Sequence, residues 1–144
     1  MADFITVQLA NEEVDRLRVE NKDLRDEIYA LNVRIKMKIK CSDLVGAQLD
    51  YAVAKCSGPT MMAFFTRNEY EYTPSTDWEQ GGPIIEREKI NMFYLPEQSL
   101  WWATNKDPVE KESIGDGPTA LIAAMRCYCC AKLGEEVEIP EGLK

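Results

Sequence analysis

The sequence predicts an α+β protein, a small antiparallel sheet layered with helices, preceded by an N-terminal parallel dimeric coiled-coil helix. Three observations lead there. A heptad repeat occupies the first quarter of the chain. Beyond it, short segments of two-residue alternation are interspersed with amphipathic stretches. Two of these short segments are joined by a four-residue turn, which is hairpin spacing and points to antiparallel pairing.

With Val14 at position a, the a sites are Val14, Asn21, Ile28 and Ile35, and the d sites are Leu17, Leu24 and Leu31. β-Branched residues at a with leucine at d favour two parallel strands, and a lone Asn at a fixes register and dimer state. Glu13 and Glu20 fall at g, and Arg18 and Arg25 at e. A parallel, in-register pair therefore matches Glu13 with Arg18 and Glu20 with Arg25 of the second copy. The helix has two possible starts. Val7 and Ala10 extend the frame upstream, whereas Asn11 followed by Glu12 and Glu13 makes a capped beginning. From Asn11 the helix is ~37 Å long, and so short a zipper is only marginally stable by itself. The expected division is residues 1–36 for dimerisation and residues 37–144 for the globular domain.

After Ile35 the period falls to two, as Met37 and Ile39 alternate with lysines, which predicts a strand. Ser42 or Asp43 then caps a predicted helix over Leu44 to Cys56, ended by Ser57-Gly58-Pro59. Met61 to Phe65 reads as a second strand and Arg67 to Tyr72 as a third candidate. Tyr72 to Pro83, with two Pro and two Gly, reads as an irregular loop of the kind that carries function. A helix is expected from Pro83. Ile90 to Leu95 and Leu100 to Thr104 form the hairpin. Asn105 to Gly115 reads as a charged loop. Asp116 to Thr119 opens the strongest helix of the domain, Ala120 to Leu133, with Gly134 as its C-terminal cap. The acidic tail from Glu135 is expected on the surface.

Composition narrows the function. The net charge of −8 and the absence of Lys or Arg before the zipper argue against nucleic acid as a partner. The chain has no His, which removes imidazole chemistry and most zinc sites. Five cysteines, an odd number, without a signal peptide point to reduced thiols in a cytoplasm. Cys127-Tyr-Cys-Cys130 lacks a second ligand pair, so no metal is expected, and no cofactor is implied. No apolar run reaches the ~20 residues of a membrane span.

The candidate ligand site joins the Tyr72–Pro83 loop to the start of the last helix. Gly117-Pro118-Thr119 offers free N–H groups at a helix N-terminus, suited to a phosphate or carboxylate. Tyr72 and Trp78 can stack on a base, and Thr76 and Asp77 add polar groups. Arg87 and Arg126 bring charge to a phosphate provided that their helices face one cleft. The plainer reading is that the hydroxyls and Asp77 cap helices, Trp78 fills the core and the arginines pair with glutamates. Trp101-Trp102 on a strand must send one ring inward and the other outward. Asp50, Asp77, Glu86 and Glu88 are the acids that a metal-dependent reaction would need.

The runs Leu44 to Cys56, Pro74 to Glu88, Gly117 to Cys127 and Lys132 to Pro140 resemble the NinX-like family of small phage proteins of unknown function. The segment that carries the resemblance, from Met37 to the C-terminus, is about three quarters of the chain. The Ser-Thr-Asp run and the last helix also resemble, more distantly, the phage α-β-α sandwich domain. The resemblance implies a phage accessory protein acting in the bacterial host cytoplasm, to which the zipper is an addition. On this reading the leading function is a non-enzymatic, homodimeric or higher-oligomeric binder of a small nucleotide-type ligand, sequestering a signal of host antiphage defence. The alternatives are a dimeric inhibitor or adaptor acting on a host protein, whose exposed aromatics would form a patch, and a metal-dependent nucleotide hydrolase.

Overall fold

The computed structural model describes residues 4–34, 36–67, 71–105 and 112–143, with residues 4–9 and 28–34 described by their backbone alone. The chain separates into two compact units, Met1–Lys36 with Pro140–Gly142, and Met37–Ile139 with Leu143–Lys144.

The first unit is the helix α1, Phe4–Arg34. It starts well before Asn11, so of the two predicted beginnings the upstream one is observed. Within the single chain Val14, Leu17 and Leu24 lie exposed in a line along it. Glu13 accepts from Arg16 at 2.6 Å and Arg18 approaches Asp15 at 3.7 Å, both one turn apart on the same helix. Ile35 and the side chains of Ile28 and Leu31 lie outside the described residues.

The second unit contains two small sheets and four helices among the described residues. Strand β1, Lys36–Lys40, follows the predicted alternation, with Met37 and Ile39 turned inward between exposed lysines. It pairs with β5, Glu136–Pro140. The predicted surface tail is therefore a strand, and Val137 and Ile139 are buried. A short 3-10 turn, Cys41–Asp43, follows β1 and contains both residues expected to cap the next helix. That helix, α2, begins later, at Gly46–Ser57 with Val45 at its N-cap.

The expected strand at Met61–Phe65 is instead helix α3, Pro59–Arg67. Proline is pre-organised for a first helical turn, and Phe65 alone of this segment is fully buried, against Tyr51 and Tyr72. An apolar run this short carries no period that distinguishes strand from helix. Helix α4, Trp78–Glu88, likewise begins before the predicted Pro83, because Asp77 caps it by accepting from the Glu79 N–H at 2.9 Å.

The hairpin is present as β2, Asn91–Leu95, and β3, Leu100–Asn105, in antiparallel register with Leu95 opposite Leu100 and Phe93 opposite Trp102. A third antiparallel strand, β4, Ser113–Gly117, lies where a loop was expected, and residues 106–111 of that loop are outside the described residues. Its composition explains the difference. A side chain at Gly115 would collide with the backbone of Ala123 and Cys127, and one at Gly117 would meet Ile122 at 2.7 Å. Glycine here lets β4 lie directly on helix α5, Ala120–Leu133, and so gives the strand little sequence signal.

Helix α5 matches its predicted limits. Thr119 accepts from the Ile122 N–H at 3.2 Å, and Gly134, at φ 87°, donates to the Cys130 carbonyl. It packs across the three-stranded sheet and against α2, and Ala123, Ala124, Met125, Cys127 and Cys129 are completely buried. The fold is α+β with small sheets and a central helix.

Candidate functional site

The Tyr72–Trp78 segment is short and is held through the backbone N–H groups of Thr73, Ser75, Thr76 and Asp77. The Thr73 carbonyl accepts from the N–H groups of Thr76 and Asp77 at 3.0 and 2.9 Å. Gln80, in the first turn of α4, accepts from the Thr73 N–H at 2.8 Å and donates to the Glu71 carbonyl at 2.7 Å. From α2, buried Asp50 accepts from the Ser75 N–H at 3.0 Å. Pro74 and Ser75 are fully buried. Gly81 has no room for a side chain between the Pro74 carbonyl and Leu121, so this segment lies against the first turn of α5.

Asp50 is the most unusual of these braces. Desolvation pushes its carboxyl above the ordinary carboxylate value, opposed by the hydrogen bond from the Ser75 backbone. Ser75 Oγ lies near the same carboxylate and favours its charged form without reaching regular hydrogen-bond geometry. A buried carboxylate held this way is structural, since its acceptor is directed at a protein N–H.

The seven residues expected to bind a ligand fall into separate places. Trp78 is 55% exposed at the first position of α4, beside the exposed Thr76. Asp77 caps α4 and Thr119 caps α5. Tyr72 is buried, edge-on to Phe64 and Phe65 at 6.2 and 6.4 Å, and burial pushes its phenol above the usual range. Arg87 lies nine residues beyond Trp78, about 13 Å along the axis and on the opposite side of the helix. Its Nε donates to Glu88 at 3.0 Å and its Nη2 to the Tyr128 hydroxyl at 3.2 Å, with the guanidinium 5.9 Å from that ring's centre. The Glu88 hydrogen bond is the main reason its pKa is raised further. Arg126 is buried and donates to the Leu44 carbonyl at 3.0 Å and the Asp116 carbonyl at 2.7 Å, joining the 3-10 region and β4 to α5.

The acids are similarly dispersed. Glu88 faces both Arg87 and Lys132, while Asp50 and Asp77 hold backbone N–H groups. Among the described residues no group of three or more Cys, Asp or Glu side chains is placed to hold a metal ion. Cys41, Cys127 and Cys129 lie in the core and Cys56 and Cys130 at its edge; burial pushes Cys41 and Cys127 up to about 12.

Sequence reasoning did not single out Gln80. Its signal is the Asp77-x-x-Gln80 spacing of a capping box, although here the amide reaches past the cap to Thr73 and Glu71. The face of the three-stranded sheet was half anticipated. Trp101 packs against the core with its ring tilted at 53° to that of Tyr94, centroids 5.3 Å apart, while Trp102 points outward and is 39% exposed.

These features define a class before they define a family. The chain is an α+β protein with a braced loop and an outward Trp78. A family model for bacteriophage P22 NinX matches residues 40–132, nearly two thirds of the chain, and the chain belongs to that phage family. Among curated proteins none matches it. Among the described residues no helix is long and apolar enough to cross a membrane.

Proposed function

We propose that this NinX-family chain is a phage accessory protein that acts by binding a host protein, as a parallel homodimer joined through Val14, Leu17, Asn21, Leu24, Ile28, Leu31 and Ile35. The observation that carries the reading is the Tyr72–Trp78 loop, braced through its backbone with the Tyr72 ring buried and the Trp78 ring left exposed. A pre-ordered loop loses little conformational freedom on binding, and exposed tryptophan is a preferred anchor of protein contacts. The exposure of Trp78, Phe93, Tyr94 and Trp102 supports this reading. The test is quantitative comparison of the host proteins that co-purify with the wild-type chain and with Trp78→Ala. The expected result is a defined partner retained by the first and lost by the second. Identical partner sets would sink the reading.

A nucleotide-type ligand is the second reading, favoured by exposed Thr76 two residues before the exposed Trp78 ring. Neither Arg87 nor Arg126 supports it, since both are engaged elsewhere. A thermal-shift panel of mono-, di- and cyclic nucleotides separates the two. Ligand at 100 times its Kd adds about 2.7 kcal/mol. Such a shift, with the nucleotide recovered unchanged and the effect lost in Trp78→Ala, would favour sequestration over protein contact.

A further inference from the structure

Four of the five cysteines fall into two pairs along α5. The Cys41 thiol lies within hydrogen-bonding reach of Cys130, and the Cys129 thiol within reach of Cys56. The fifth, Cys127, donates to the Ser113 carbonyl at 3.3 Å. In each pair one thiol is buried, Cys41 or Cys129, and the other, Cys130 or Cys56, is partly exposed. The first pair is also fixed by the backbone. Cys41 opens the 3-10 turn after β1, and its N–H donates to the Glu135 carbonyl at 2.8 Å. Glu135 follows Gly134, whose N–H donates to the Cys130 carbonyl at 3.0 Å. Two successive hydrogen bonds thus hold Cys41 at the last turn of α5, independently of the thiols themselves.

We propose that Cys41 and Cys130 form a reversible disulfide that latches the end of β1 to α5 when the protein meets a low-molecular-weight disulfide. Cys130 is the point of entry. Burial pushes the Cys41 thiol up to about 12, with Cys130 adding to the shift, and a thiol held protonated is a poor first nucleophile. The Cys130 thiol loses its proton and its sulfur attacks one sulfur of the oxidant, oxidised glutathione for example. A mixed disulfide forms, and one glutathione leaves as the thiolate. The Cys41 thiol then gives up its proton, its sulfur attacks Cys130 Sγ, and the second glutathione leaves. Two protein thiols are oxidised and one small disulfide is reduced to two thiols, which take up the two protons. The Cys56–Cys129 pair is less suited to the same reaction. Helices α2 and α5 pack together and both carry completely buried side chains, Ala52, Val53, Ala123 and Ala124 among them. Such packing resists the shift that closing a bond requires, whereas a turn at a strand end adjusts over a few residues. The latch acts on the strand that follows α1 in the chain.

The test incubates the full chain at pH 8 with excess oxidised glutathione, quenches it in acid, alkylates the free thiols and maps the protein by mass spectrometry without reduction. The expected wild-type product contains a peptide joining Cys41 to Cys130, two hydrogens lighter than the sum of its parts and abolished by dithiothreitol. Cys41→Ala should stop at the mixed disulfide, with glutathione held on Cys130. The oxidised wild type should melt roughly 10 °C or more above the reduced protein, since the bond closes a loop of about 90 residues. That rise should be absent from Cys41→Ala. Circular dichroism checks that this variant folds, and Cys130→Ser, at a partly exposed position, replaces it if it does not, with neither cross-link nor Tm rise expected. A wild type that keeps both thiols free, stops at the mixed disulfide on Cys130, or joins Cys56 to Cys129 instead would overturn the latch. So would a 41–130 bond that leaves the Tm unchanged.

Discussion

Replacing Asp50 by alanine removes the carboxylate on α2 that accepts from the buried Ser75 N–H at 3.0 Å. The consequence is two-sided. A hydrogen bond to a charged group contributes ~1.5–3 kcal/mol, and a buried N–H left without an acceptor costs about 1–3 kcal/mol. Against this, alanine no longer carries the desolvation of a buried charge, which is what raises the Asp50 pKa. A net loss of about 2 kcal/mol follows, or roughly 8–10 °C in Tm for a domain of about 100 residues. Asparagine keeps an oxygen for Ser75 and removes the charge, so Asp50→Asn should stay near the wild-type Tm at neutral pH.

The pH dependence has a definite sign. Because the folded state holds this proton more tightly than the unfolded chain, the Asp50 contribution is most favourable below the ordinary carboxylate value of 3.8. It declines as pH rises from there through the raised folded value. Asp50→Asn lacks that decline. Thermal unfolding of the three proteins from acid to neutral pH measures it, with hydrogen exchange of the 72–78 peptide as a local readout. Equal losses for alanine and asparagine, or unchanged exchange at Ser75 in Asp50→Ala, would refute the brace.

The same packing makes three further predictions. Gly115→Ala should destabilise by about 1–3 kcal/mol, since the added methyl meets the backbone of Ala123 and Cys127; urea unfolding at the wild-type midpoint tests this. Arg126→Met should cost about 2–4 kcal/mol by leaving the Leu44 and Asp116 carbonyls without their charged donor, and Arg126→Lys, unable to span both, should lie between. With Cys41 and Cys127 pushed up to about 12, and Cys129 buried and raised as well, a thiol reagent at pH 8 should react quickly at no more than the partly exposed Cys56 and Cys130. All five should react in denaturant, and rapid labelling of five thiols in the folded protein would contradict the buried cluster.

What could be read from the sequence was what local chemistry encodes. The hairpin was legible because two alternating segments flank Pro96-Glu-Gln-Ser99, and α5 because Thr119 and Gly134 mark its ends. Strand β5 had the same information, with Val137 and Ile139 alternating with glutamates, but its acidity suggested a surface tail; burial beside β1 depends on a partner 100 residues away. Strand β4 is glycine-rich for the sake of α5, so tertiary contact replaced strand propensity. For the candidate site, residue types were legible and their directions were not. Arg126 resembles an anion ligand in sequence, but its acceptors are the carbonyls of Leu44 and Asp116, which no pattern of side chains announces.

On α4, Trp78 and Arg87 lie on opposite sides and near opposite ends, so one small ligand stacked on the ring does not also reach the guanidinium. Arg87 is committed to Glu88 and Tyr128. On the proposed reading the distinctive run around Ser75-Thr-Asp-Trp78 works as a mount, with Asp50 and Gln80 holding its backbone, Gly81 packed against it and Trp78 left outward. A mount of this kind suits an opposing surface better than a closed pocket, because ring and backbone are rigid before contact and the surrounding space is open. The consequence is measurable in rates. If Trp78 is a pre-ordered anchor, Trp78→Ala should raise the dissociation rate from the partner at least tenfold while changing the association rate little, and loosening the mount through Asp50→Ala should slow association. A Trp78→Ala effect confined to association would mean that the ring guides the encounter rather than holding the complex.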